Sequence, residues 1–305
     1  MTTPKTTTRP RSSQRQRGAA LLIAMLLVVL GLVALLTLRG GHKAPELEAE
    51  RKTALALAQA KEALLGRAAS NQSGSIPRPG VLPCPDTHAQ GDPNEGIANT
   101  SCLANAIGRL PWRTLGLPDL RDGANERLWY KLSGNFRNTS GVKVNTSTNG
   151  TLMIGGAGPT FAVIVFAPGA PLSGQVRDSA HFNDFLAYLE GFVAASDTNF
   201  NNTPAQPIND RFMTVLPVEI KNWITPRVAA ELRDALDAPT PPTPYPDTLP
   251  TLPTWIDNNG WTPLIAYRKV SDTSAELDFS VGGCATVYTY VFSAGATGLK
   301  RLGKC

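Results

Sequence analysis

The chain is 305 residues long, 42% hydrophobic and 17% charged, enough apolar material for one large or two small cores and too much for a disordered polypeptide. Its net charge of +5 rests on Lys5, Arg9, Arg11, Arg15 and Arg17, all ahead of the first apolar run; without them 24 basic residues face 24 acidic ones. The basic excess is therefore a topology signal, not a phosphate-binding surface, and no nucleic-acid partner is expected.

Residues 1–17 are rich in Thr, Pro, Ser, Gln and Arg, have nothing to bury, and are expected to be disordered. Ala19 to Leu38, AALLIAMLLVVLGLVALLTL, carries no charge and is flanked by Arg15, Arg17 and Arg39. At about 1.5 Å per residue it reaches about 30 Å as a helix, the thickness of a bilayer's hydrocarbon core. The pattern predicts a transmembrane helix over 19–38 in contact with a lipid bilayer. The basic side is kept in the cytoplasm and everything from about Gly40 onward is exported.

The junction RQRG-AALLIAMLL places a small residue, Gly18, ahead of the apolar helix, whereas an ordinary secretory signal has its small-residue cleavage site after it. Here the chain resembles the class III leader of type IV pilins and type II secretion pseudopilins. The resemblance implies a basic cytoplasmic leader, 1–18, cut by a prepilin peptidase after Gly18, with Ala19 methylated as the mature N-terminus. It also implies that the apolar segment becomes a filament spine packed against other pilin-like subunits. The protein would then sit in a bacterial inner membrane as a single-pass subunit, its C-terminal domain periplasmic or extracellular. Major pilins usually begin with Phe and carry Glu at the fifth mature position; this chain has Ala19 and Ile23, a departure typical of a minor, tip-type subunit. A physical reading stands beside it, since an acid buried mid-membrane costs about 2.5 to 3.5 kcal/mol.

Gly40, Gly41 and Pro45 permit a bend at the membrane surface. An amphipathic continuation of the helix is expected over 42–70, strongest from Glu46 to Arg67, with Leu47, Ala54, Leu57, Ala58, Leu64 and Leu65 as its apolar stripe. A periplasmic α+β domain is expected over 71–238. It opens with a Pro- and Gly-rich ordered loop, Ile76 to Ser133, in which Trp112, Leu115 and Leu117 cover a core and Arg127 to Leu132 forms a strand. All four cysteines, Cys84, Cys102, Cys284 and Cys305, fall in the exported part, which suits an oxidising compartment. Three pairings are open. The simplest joins Cys84 to Cys102 and Cys284 to Cys305, each worth about 3 kcal/mol on the chain-entropy model. Zinc spacing is lacking, and His42, His88 and His181 are scattered.

Calcium has two weak candidate clusters, Asp86 with Asp92 and Glu95, and Asp197 with Asn199 and Asn201. The second has Asn202 where a calcium loop wants Gly and Ile208 where it wants Glu, so turn residues are the preferred reading and no metal or cofactor is expected. Thr160 to Ala167 predicts a central strand. Gly155 to Gly158, GGAG, leads into that strand and lacks the Lys of a phosphate loop. A helix is expected over Ala180 to Ala194 with Phe182, Phe185, Leu186, Leu189 and Val193 buried, a strand over Phe212 to Val218, and a helix from Thr225-Pro226 to about Leu236. Residues 239–253, PTPPTPYPDTLPTLP, form a Pro-rich spacer or surface strap. Over 254–305, Leu264 to Val270, Ala275 to Val281 and Ala285 to Ser293 predict C-terminal strands ending in a disulfide loop that resembles the D-region of type IV pilins.

The expected fold is thus α+β: a long N-terminal helix, transmembrane then amphipathic, packed on an antiparallel β-sheet with extra helices and disulfide-stapled loops. G-x-S-x-G, H-E-x-x-H and Walker motifs are absent, and the expectation is a structural subunit, not an enzyme. The alternative is a membrane-anchored periplasmic binding or enzymatic domain outside any filament.

Overall fold

The computed structural model describes residues 22–32, 43–70, 77–203, 207–237, 244–249, 251–280, 288–293 and 300–302. Gly18, Ala19, Cys284 and Cys305 lie outside the described residues, as do both ends of the 19–38 run. The chain divides into two units, Met1–Glu50 and Arg51–Cys305. In the first, residues 22–32 form a helix, α1, whose large apolar side chains from Leu22 to Leu32 are 56–70% exposed. Among the described residues no helix is long and apolar enough to cross a membrane.

Helix α2, Lys43–Ser70, forms where its Ala, Leu, Glu and Lys content predicts it. In the second unit it buries Ala56, Leu57, Ala60, Leu64, Leu65 and Ala68. The expected stripe holds at Leu57, Leu64 and Leu65, but Leu47, Ala54 and Ala58 are exposed. The buried face follows the i, i+4 run of 56, 60, 64 and 68, which leaves positions 54 and 58 on another side of the cylinder.

A four-stranded antiparallel sheet lies against this helix in one core, with order β1 (Ile107–Arg109), β2 (Trp129–Leu132), β5 (Val163–Ala167) and β7 (Arg211–Val215). Side chains alternate across it as the pleat requires. Tyr130, Leu132, Val163, Val165 and Val215 face the core shared with α2 and with α3 (Pro217–Asp237), whereas Trp129, Ile164 and Phe166 face a second, aromatic core. β5 is central and all five of its residues are buried, which accounts for its unbroken apolar sequence. The expected strand from Thr160 is interrupted at Ala162. Its first part belongs to β4 (Ala157–Phe161), which pairs with β3 (Leu152–Ile154), itself parallel to β6 (Asn199–Phe200). Gly155 and Gly156 have φ of +67° and +74°, the mirror-image turn that joins two antiparallel strands most tightly. The GGAG stretch is therefore a hairpin.

A second antiparallel sheet, β8 (Ile265–Ser271), β9 (Ser274–Phe279), β10 (Tyr288–Ser293) and β11 (Lys300–Leu302), brings Ala275, Leu277, Phe279 and Tyr290 into the first core. Within the Pro-rich connector, Tyr245 is buried, its N–H donates to the Asp272 carbonyl (3.0 Å) and its hydroxyl to Asp237 (2.5 Å). This part of the connector is a strap packed on the domain.

Two expected helices are corrected. Residues 180–194 form turns and one short 3-10 turn, Phe185–Ala187. The Asp178 carboxylate takes the N–H groups of Ala180 and His181, and that of Asp184 takes the Leu186 N–H, offering the backbone partners that compete with a helix. Gly191 packs so closely on Phe200 that a Cβ there would overlap the ring. Phe182, Leu189 and Phe192 are buried, but Leu186 is 47% and Val193 86% exposed. α3 begins at Pro217, well before Thr225, with Glu219 accepting the Leu216 N–H (2.8 Å). Thr225 is interior. Its hydroxyl donates to the Lys221 carbonyl (2.9 Å) and accepts from Tyr290 (2.9 Å), so Pro226 sits inside a helix held by side-chain bonds.

Cys84 and Cys102 form a disulfide, with Cα atoms 5.7 Å apart. Replacing both with Ser is expected to lower stability by about 3 kcal/mol, chiefly by freeing the unfolded chain; an unchanged urea midpoint would contradict this.

Candidate functional site

The stapled loop is organised around buried ions. Asp86 is buried beside β1 and exchanges two backbone hydrogen bonds with Arg109 (2.9 and 2.8 Å). Its Oδ1 accepts the His88 N–H (2.9 Å) and contacts His88 Nδ1 (2.7 Å), while Oδ2 accepts the Gly96 N–H (2.7 Å). Arg109 projects from β1 onto the aromatic face. Its guanidinium lies 3.2 Å from the Phe182 ring centroid and 5.2 Å from that of Trp129, and Nη1 donates to Asn183 (3.0 Å). Burial pulls its pKa down to about 10, against the opposing pull of Tyr188, Asp86, Glu126 and Asp119, so it remains cationic at neutral pH. Arg127 pairs with Glu95 and with Asp119 (3.0 Å), and Arg177 pairs with Glu126 (3.3 Å) beneath Tyr188. The space enclosed by Asp86, Glu95, Arg109, Asp119 and Arg127 is about 10 Å³, room for about one water. This network fastens the loop and the 177–188 segment to the sheet edge; it has no room for a substrate.

Lys131 on β2 is the second buried cation. Its Nζ donates to the Ala195 carbonyl (2.5 Å) and lies 5.2 Å from the Phe192 centroid. Burial lowers its pKa to about 8, partly offset by Asp197. The Asp197 carboxylate accepts the Val193 and Ala194 N–H groups (3.0 and 2.8 Å), which hold it below the usual carboxylate range. Asn199 accepts the Gly156 N–H (2.8 Å) and Asn201 the Thr203 N–H (3.1 Å). All three residues of the calcium-like spacing thus bond backbone donors in turns. Among the described residues no group of three or more His, Cys, Asp and Glu side chains is placed to hold a metal.

Asp210 and Glu190 are a carboxyl pair at the edge of the aromatic core. Asp210 accepts the Glu190 N–H (3.1 Å), and Gln175, itself bonded to Arg177, donates to Glu190 (2.6 Å). Burial first, then the Glu190 charge, pushes Asp210 up to about 9. The folded chain therefore keeps a proton that the unfolded chain releases near 3.8, and this contribution to stability falls as pH rises between about 4 and 9. Asp210→Asn is expected to flatten that decline in urea midpoints; an unchanged slope would contradict the assignment.

Outside these closed networks lies a cleft of about 520 Å³ beside the disulfide, walled by Pro85, Cys102, Leu103, Ile107 and Ala195, with Thr87 and Asn99 as polar members. None of its lining residues is charged.

No family model, curated protein or solved structure matches the chain.

Chemistry must then be judged on geometry alone. Both described histidines contact carboxylates, His88 with Asp86 and His181 with Asp178 (2.7 Å each), not a hydroxyl or thiol, and Cys84 and Cys102 are bonded to each other. The network of Asp86, Arg109 and Arg127, and buried Lys131 and Asp210, carry no local signature. Only Lys131, inside the strand expected over Arg127 to Leu132, hints at a buried cation.

Proposed function

We propose that the chain is a minor, pilin-like structural subunit that assembles through its N-terminal helix, as the leader-like junction at Gly18 and Ala19 suggests. The observation that carries the reading is α1: from Leu22 to Leu32 its large apolar side chains are 56–70% exposed on every side. Such a surface is unfavourable in water and suited to lipid or to neighbouring helices. Further support comes from α2, whose small and leucine residues share a core with a four-stranded antiparallel sheet, followed by a disulfide-stapled loop. In this account residues 19–38 span a bacterial inner membrane, the folded domain is exported, and a prepilin peptidase removes the leader. Ile23 in place of an acid favours a low-copy or tip position.

Alkaline carbonate extraction tests the anchoring. The full chain is expected to stay with the membrane pellet, and a deletion of residues 22–32 to be released; release of the full chain would overturn it. For assembly, a photo-crosslinking residue at Leu26 is expected to capture other subunits bearing a similar apolar helix. Adducts to lipid alone would sink the filament reading and leave the anchor.

A further inference from the structure

β1 is an edge strand, and its register decides which of its backbone groups are free. Ile107 pairs with Lys131 and Arg109 with Trp129, while Leu132 N–H reaches the Ala106 carbonyl and Leu110 N–H the Leu128 carbonyl (3.0 Å each). In an antiparallel ladder hydrogen-bonded and non-bonded pairs alternate, so Ala106, Gly108 and Leu110 face β2, and the backbone groups of Ile107 and Arg109 point outward. Arg109's outward pair is taken by Asp86. One further step along that bridge would bring His88 to Ile107. Instead the His88 N–H is given to the Asp86 carboxylate (2.9 Å), and its carbonyl accepts from Asn183 (3.3 Å). Among the described residues nothing pairs with the outward N–H and C=O of Ile107, which lines the uncharged cleft of about 520 Å³. At its mouth Leu103 is 85% exposed.

We propose that this cleft binds an extended, uncharged apolar segment of another polypeptide, which adds to the β1 edge through the N–H and C=O of Ile107 and seats a side chain against Leu103 and Pro85. Three features select this occupant. A donor and an acceptor on one outward-facing residue are met by the C=O and N–H of a single residue on an added strand. The aliphatic walls and the volume suit apolar side chains. A carboxylate or phosphate would find no countercharge in the lining. The Asp86–His88 bond is the device that keeps the edge open, because it withholds from Ile107 the partner that the chain itself would supply. The inference uses residues between Pro85 and Ser196 alone and does not depend on the filament reading.

The test uses the full-length protein purified in detergent and a blocked, dye-labelled Val-Thr-Val-Thr-Val peptide. Saturable binding is expected, with exchange of the Ile107 amide slowed about tenfold or more. N-methylation of the peptide's central residue, Ile107→Pro and Leu103→Arg are each expected to weaken binding by about tenfold. Proline is tolerated at an outward position of an edge strand; should Ile107→Pro fail to fold, the N-methylated peptide and the surface change at Leu103 still decide. The proposal is overturned if the peptide does not saturate, or if N-methylated and parent peptides bind equally. It is also overturned if the Ile107 amide is already protected in the free protein, by the chain's own residues or, where protection grows with protein concentration, by a second copy.

Discussion

Phe166→Ala is expected to lower the unfolding free energy by about 3 to 5 kcal/mol. Phe166 sits on the central strand β5 and is fully buried, with ring centroids 4.8 Å from Phe200, 5.5 Å from Phe192 and 6.3 Å from Phe212. Truncation removes its own transfer free energy and leaves a cavity. The surrounding rings cannot fill it, because Phe200 is pinned against Gly191 and Phe192 rests over Lys131. Phe212→Ala, at a site 37% exposed, is expected to cost about 1 kcal/mol. Guanidinium midpoints would show the difference, with the m-value unchanged if the denatured state is not altered. A loss below about 1 kcal/mol for Phe166→Ala would mean that the second core is not packed as described.

Asp86→Ala is expected to cost about 3 to 5 kcal/mol, as when one partner is removed from a buried ionic network. The carboxylate accepts the His88 and Gly96 N–H groups and lies in the field of buried Arg109. Without it two backbone donors and a cation lose their compensation together. His88→Ala should cost far less, since that ring is partly exposed. Hydrogen exchange adds a second readout: the Gly96 amide should lose its protection in Asp86→Ala and keep it in His88→Ala. Retained protection in both would place the loop's support elsewhere, on the Arg127–Glu95 pair and the disulfide.

How much of this was legible follows from which forces were local. α2 could be read because its residues are helix formers over many turns, and β5 because burial on both faces makes a strand uniformly apolar. The hairpin at Gly155 and Gly156 was readable in part: glycines leading into a strand excluded a phosphate loop. The helix expected over 180–194 failed because its spacing of Phe and Leu is met equally by aromatic side chains drawn into a core from turns, while Asp178 and Asp184 satisfy the backbone locally. At Thr225-Pro226 the residues of a helix start were present, yet the hydroxyl bonds backward to Lys221. For the ion network, sequence offers almost nothing. Glu95 meets Arg127 and Asp86 meets Arg109 only after the loop has folded, and no spacing rule reaches across such separations. The edge at Ile107 is hidden for a related reason, since it depends on where His88 sends its N–H.

In the proposed function the apolar segment is a processed assembly helix. Mass spectrometry of the N-terminus, on protein isolated from the membranes of its host, tests it most directly. The protein is expected to begin at N-methylated Ala19, and a chain that retains residues 1–17 would overturn the proposal.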